Sequence, residues 1–376
     1  LADPGQTTRF SGEILKLNED LLKTWTRDYA TPAGDCIEIP DIKAALCNWS
    51  IEATGLMLFG QRMGCIPSAD TGLKNSTRAN ELVRSVAEMF NQTSVFQIIP
   101  PRVAMKLNLN SWKRFEAVSD SMIKVANEYA SEFIDKAKQA NSRASILKDL
   151  LEMKSLTDEE ISLTMVDLII AAADTTSNSL QWIIYCLAKH LDVQSKVFSE
   201  IMENPSQRSR VAGLDEMIQI KSPYRHSVVK EVLRLYPTAP FLARTLDHTI
   251  CLNGYEIPPG TPIVFSLYTT SRKEEYFQQP LEFKPERWVR NTSDANLSSS
   301  HNSKNYAHAS LPFGLGSRMC IGRRMAELEM DLLIASLVNR YEILLPNANE
   351  EINIKLKMIL APSKPIEVQL KPRFNL

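Results

Sequence analysis

The chain has 376 residues, 44% of them hydrophobic and 23% charged, with 13 Gly and 20 Pro scattered along it. That composition excludes a disordered or collagen-like chain and reads as an ordinary soluble globular protein, long enough for one large domain or two small ones. The formal net charge of −1 leaves no global basic field for nucleic acid and no acidic tail, so a charged partner must be met by a local patch.

Residues 11–29 and 41–59 carry apolar side chains at helical spacing, as do residues 76–90. Val95-Phe96-Gln97-Ile98-Ile99-Pro100-Pro101 reads as an apolar loop in which the double proline stops a helix. A long amphipathic helix is expected over 112–137. Thr157 followed by Glu160 forms a capping box, and no Gly or Pro follows until Pro205. Residues 158–190 are therefore expected as one helix of about 50 Å. Its centre, Ile169-Ile170-Ala171-Ala172-Ala173, is apolar all round and expected to be buried.

A shorter helix is expected over 227–236, ended by Pro237. Residues 240–265 read as strand-rich, with strands at 249–252 and 261–267 and a turn at Asn253-Gly254. Residues 273–310 look irregular, including a Ser/Asn-rich loop at 291–303. A final amphipathic helix over 322–341 precedes a closing strand pair over 352–370, arranged around Pro362-Ser363-Lys364-Pro365. With no internal repeat and no convincing linker, the expectation is one mainly α domain with a small β part. No apolar run approaches the length of a membrane-spanning helix.

The six cysteines, at 36, 47, 65, 186, 251 and 320, show no C-x-x-C spacing and read as free thiols in a reducing compartment. Cys320 stands apart. It lies in Phe313-Gly314-Leu315-Gly316-Ser317-Arg318-Met319-Cys320-Ile321-Gly322, directly before a helix. Glycines let such a backbone approach a flat ligand, and a helix N-terminus or a metal stabilises a thiolate. The centre of the long helix carries Ala171-Ala172-Ala173-Asp174-Thr175-Thr176. A carboxylate and a hydroxyl in an apolar helix are costly unless solvated or used. The plain alternative is that Thr175 bonds back to the carbonyl of Ala171 while Asp174 pairs with a distant Lys or Arg. Glu231-Val232-Leu233-Arg234 with Leu235-Tyr236-Pro237, and Pro285-Glu286-Arg287-Trp288, complete the set. An E-x-x-R spacing alone is weak, since Glu81-Leu82-Val83-Arg84 has it too.

The cysteine loop matches F-x-x-G-x-R-x-C-x-G and resembles the haem-ligand loop of the cytochromes P450. The other motifs follow in that family's order, with Ala172 where its long-helix motif usually has Gly. The resemblance implies a P450 fold and a haem b (iron protoporphyrin IX) ligated by the Cys320 thiolate. It assigns cofactor contacts to Phe313, Gly316, Arg318, Gly322 and Arg244, the two arginines facing propionates. Asp174 and Thr175 take the proton-delivery and oxygen-orienting roles. Glu231, Arg234 and Arg287 form a structural ionic triad. The substrate pocket falls to Ile170, Ala171, Ala239, Pro240, Phe241 and Leu242, with Leu360 as a further member.

Gly322-Arg323-Arg324-Met325-Ala326-Glu327-Leu328-Glu329-Met330 is similar to the corresponding run of the mitochondrial class. That class takes electrons from an adrenodoxin-like [2Fe–2S] ferredoxin, and Arg323, Arg324 and Lys230, with His226 or Arg225 beside it, suit an acidic partner. The implied activity is monooxygenation: dioxygen is used to hydroxylate a lipophilic substrate of the steroid or sterol class on the matrix side of the mitochondrial inner membrane. The loop at 95–101 is a candidate for peripheral membrane contact, or an ordinary loop packed on the core. Measured against the family, the chain is expected to be a partial domain lacking the N-terminal helices and strands. A P450-fold isomerase or dehydratase, and a truncated haem-binding relic without catalysis, are the rival readings.

Overall fold

In the computed structural model, residues 8–68, 76–138, 144–203, 222–289, 308–356 and 358–374 are described; the Ser/Asn-rich loop expected at 291–303 lies outside them. Helix α1 (Ser11–Tyr29) is followed by strand β1 (Ile37–Ile39) and α2 (Ile42–Phe59). The Asp41 side chain caps α2 by accepting from the Ala44 amide, and Gly60, at φ 69°, ends it. α3 (Thr77–Thr93) begins where Ser76 accepts from Ala79.

The apolar segment after α3 differs from the expectation of a plain loop. It forms a 3₁₀ turn (Ser94–Gln97), and a short helix, α4 (Pro101–Lys106), then opens on the second proline. Proline lacks the N–H that a helix start leaves unpaired, so Pro101 initiates here where the sequence suggested a stop. α5 (Asn110–Ala137) and α6 (Ile146–Met153) follow, the latter without a sequence expectation.

α7 (Asp158–Lys189) is the long helix, and its capping box is formed in both directions between Thr157 and Glu160. Its centre is not buried all round: Ala171 is exposed, and Ile170, Ala172 and Thr175 are half-buried. One face of α7 therefore borders open space while the rest is packed against α2 and α5. α8 (Leu191–Met202) starts directly after His190, and α9 (Pro223–Leu235) starts earlier than expected, on Pro223.

The β part is distributed. β2 (Phe241–Thr245) pairs with β5 (Pro262–Ser266), and β3 (Ile250–Leu252) with β4 (Tyr255–Ile257). Between β3 and β4, Asn253 and Gly254 take φ 52° and 84°, the left-handed pair that a tight hairpin turn demands. A single turn, α10 (Leu267–Thr270), leads toward the 3₁₀ turn Pro285–Trp288. α11 (Arg323–Arg340) runs into β6 (Tyr341–Leu344).

The closing segment is not one strand pair. β7 (Ile354–Leu356) turns back onto β8 (Leu360–Pro362), whereas β9 (Val368–Pro372) joins a different sheet, between β1 and β6. The Pro362–Pro365 stretch separates two sheets. The main core gathers apolar faces of α1, α2, the second half of α7, α8, α9, α11 and β9, and a second cluster lies between α2, α3, α5 and the first half of α7.

Candidate active site

The loop from Phe313 to Gly322 owes its shape to glycine. Gly314 and Gly316 have φ 74° and 78°, where a side chain is disfavoured. The Cys320 amide donates to the Phe313 carbonyl at 2.8 Å, closing the loop on itself, and Gly322 caps α11. The thiol is exposed, and so are its apolar neighbours Leu315, Met319 and Ile321. A Cβ on Gly316 would meet nothing within 4 Å, so the loop presents an open cradle, and one on Gly314 would lie 3.9 Å from Leu242. Strand β2 therefore backs the loop. Arg244 shares the Leu242 side of that strand, because side chains alternate faces; its guanidinium donates to the Ala243 carbonyl at 2.7 Å. Arg318 is exposed in the 3₁₀ turn Gly316–Arg318.

On α7 the plain alternatives raised from sequence are both realised. Thr175 Oγ1 donates to the Ala171 carbonyl at 2.9 Å. Asp174 is 2% exposed and pairs with Lys43 Nζ of α2 at 2.6 Å. That contact lacks hydrogen-bond geometry, and neither carboxylate oxygen has a hydrogen-bond partner among the described residues. The short N–O distance pairs the charge, while the acceptor positions receive no donor among those residues. Thr176, one residue on, is buried and hydrogen-bonds Glu329 of α11. Burial pushes the Glu329 carboxyl up to about 8, the Thr176 hydrogen bond opposing this only in part.

The ionic triad is assembled as expected and is larger than its motif. Arg234 donates to Glu231 through Nε and Nη2 at 2.9 and 2.8 Å, and Arg287 Nε does so at 2.9 Å. The Trp288 indole and the Lys284 amide add two more donors, at 2.8 and 3.0 Å. Arg234 in turn donates to the carbonyls of Ser271, Pro280 and Glu282.

Of the residues assigned to a substrate pocket, Ala171 and Phe241 are exposed, and Ile170, Ala239 and Leu242 are half-buried. The side chains of Pro240 and Leu360 are buried, and Leu360 belongs to the main core, where its carbonyl accepts from Asn178 and Trp182. The hairpin tip at β7–β8 turns its leucine inward because the core, not open space, lies beneath it.

Arg323 and Arg324 both reach Glu327, at 2.8 and 3.3 Å, which offsets two cations at a helix N-terminus. Lys230 is half-buried, with its ammonium 6.0 Å from the Trp288 ring centre. His226 is exposed, as a surface histidine would be. Arg225 is a correction: it is 1% exposed and held by Asp331 at 2.5 Å, so it offers no surface charge.

A family model described as Cytochrome P450 matches residues 5–370. The chain belongs to the cytochrome P450 family. It is 28% identical over 372 residues to "Cytochrome P450 10" of Lymnaea stagnalis, covering 98% of this chain and 64% of that protein. It is 31% identical over 337 residues to the mitochondrial cholesterol side-chain cleavage enzyme of Hypanus americanus, covering 88% of this chain and 61% of that protein. The mitochondrial sterol 26-hydroxylase of Oryctolagus cuniculus is 31% identical over 353 residues, covering 90% of this chain and 62% of that protein. The chain thus spans less than two thirds of the length of these relatives. A crystal structure titled as the cytochrome P450DA heme domain superposes with a TM-score of 0.74 at 19% identity, over 99% of this chain and 76% of that chain, which establishes the P450 fold. P450 proteins carry a haem ligated by a cysteine thiolate, and the residues present fit it: an exposed thiol, an open glycine cradle and an apolar rim.

Proposed function

We propose that this P450 is a mitochondrial monooxygenase that hydroxylates a lipophilic substrate, of the steroid or sterol class, with electrons from a [2Fe–2S] ferredoxin. The observation that carries the proposal is Cys320, an exposed thiol on a glycine-shaped loop rimmed by Leu315, Met319 and Ile321 and backed by β2. The mitochondrial names of several relatives support the class. When bound, haem supplies the activation of dioxygen and the insertion of one oxygen atom into a C–H bond.

The protein's own residues do the rest. Cys320 would hold the haem iron through its thiolate, and the N-terminus of α11 favours that anionic sulfur. Arg318 and Arg244 suit the propionates as charge-assisted donors. Asp174, buried beside the open face of α7, serves the proton delivery, with Lys43 compensating its charge. Thr175 offers its hydroxyl from the open face of α7 once it leaves the Ala171 carbonyl. Ala171, Ile170, Leu242 and Phe241 furnish apolar contact for the substrate. The acid–alcohol pair and the two arginines on α11 favour this reading over an isomerase that needs no external electrons.

Arg323, Arg324 and Lys230 form the docking face for an acidic ferredoxin. The segment after α3 supports peripheral membrane contact: Ile98 is 86% exposed and Leu107 64%, with Val103 and Met105 also exposed among Arg102 and Lys106. Among the described residues no helix is long and apolar enough to cross a membrane.

Reconstitution with haemin, reduction and exposure to carbon monoxide is the test. The absorption band typical of thiolate ligation is expected. Its absence, or its survival in Cys320→Ser, overturns the reading.

A further inference from the structure

The carbonyls from Ala171 to Thr175 on α7 all accept a side-chain hydroxyl. Thr175 donates to Ala171, Ser177 to both Ala173 and Asp174, and Ser179 to Thr175, at 2.9 to 3.2 Å. These donors belong to α7 itself. The Ala172 carbonyl is different: its hydroxyl comes from Ser50 of α2, at 3.1 Å. Ser50 is fully buried. Lys43, Cys47 and Ser50 follow one another at i, i+4 and i+7, one face of α2. That face meets the α7 motif three times, through Lys43 on Asp174, the Cys47 thiol 3.6 Å from the Ser177 hydroxyl, and Ser50 on Ala172.

A carbonyl that accepts an outside hydroxyl is drawn away from the amide four residues on, which weakens that helical bond and bends the helix locally. For Ala172 that amide belongs to Thr176. We propose that Ser50 is a positioning residue, which holds the α7 backbone partly open at Ala172 and so sets where Asp174 and Thr175 stand. The proposal rests on the monooxygenase reading for the meaning of that pair. α2 then controls the motif twice, by side chain at Asp174 and by backbone at Ala172. Residue 172, where the family pattern usually has glycine, is an alanine whose carbonyl accepts a donor from another helix.

Amide hydrogen exchange of the full chain tests this without haem. Losing a packed side chain speeds exchange around it, whereas freeing a shared acceptor slows exchange of the competing amide. In Ser50→Ala, and in Ser50→Cys, which keeps the volume but donates weakly, exchange at Thr176 is expected to slow about five-fold, the worth of one neutral hydrogen bond. Unchanged or faster exchange at Thr176 in both variants overturns the proposal. In the haem-loaded enzyme, product formed per electron pair is expected to fall while haem reduction by ferredoxin keeps its rate. An unchanged yield removes Ser50 from the oxygen chemistry. If the unsubstituted chain gives no thiolate-type carbonyl band, the monooxygenase reading fails, and the exchange result still decides the hold of Ser50 on α7.

Discussion

Two buried carboxylates do opposite things in this molecule. Glu231 on α9 and Asp174 on α7 are almost equally sequestered, at 0% and 2% exposed. Glu231 receives Arg234, Arg287, the Trp288 indole and the Lys284 amide, which fill both oxygens. Asp174 has one ammonium beside it and, among the described residues, no hydrogen-bond donor on either oxygen. A carboxylate saturated with donors is fixed in one place and serves as a strut. One left with spare lone pairs can take a water or pass a proton. Burial therefore does not distinguish these two acids; the number of donors around them does.

The contrast breaks most sharply at the strut. Glu231→Gln strands Arg234 and Arg287 around a neutral amide, and a loss of about 3–5 kcal/mol in denaturant unfolding is expected. Asp174→Asn is expected to leave the fold far less affected but to cut turnover by roughly 10²-fold or more. A stability loss for Asp174→Asn as large as that of Glu231→Gln would place both acids in the same class.

Glu329 sharpens the comparison as a third case, buried beside the neutral Thr176 hydroxyl. Its folded carboxyl titrates near 8 and its ordinary value is 4.5. Between those values the folded state keeps a proton that the unfolded chain has lost. Stability is therefore expected to fall as pH rises through this window, by at most about 1.4 kcal/mol per pH unit, and to level off above it. Glu329→Gln should flatten that slope in unfolding measured from pH 5 to 9. The smallest effect on the fold is expected at the surface. Arg323→Glu with Arg324→Glu should shift stability by less than about 1 kcal/mol, since exposed pairs contribute little. The same variant should slow reduction by ferredoxin, most at low salt. Equal slowing at high salt would count against an electrostatic docking face.

Much of the site was legible before any coordinates. The cysteine loop, the E-x-x-R helix and the capping box are local patterns, and each takes the expected form. The pairing of Arg323 and Arg324 with Glu327 is likewise local, at i,i+4 and i,i+3 spacing. Other features left no local trace. Nothing near Lys43 or Ser50 marks them as neighbours of α7, and nothing near Arg225 tells that Asp331 will bury it. The second proline of Pro100-Pro101 was read as a stop because proline is hostile inside a helix, yet it is suited to the first turn.

What the sequence determined by itself is the kind of most long elements and the motifs that carry the candidate site, because periodicity, caps and glycine positions act over a few residues. The tertiary structure decided which acid is a strut and which is left unsaturated. It also decided which face of α7 stays open and which cations remain at the surface. Those properties depend on donors and apolar surface that distant segments bring within a few ångströms, and only the packed chain brings them together.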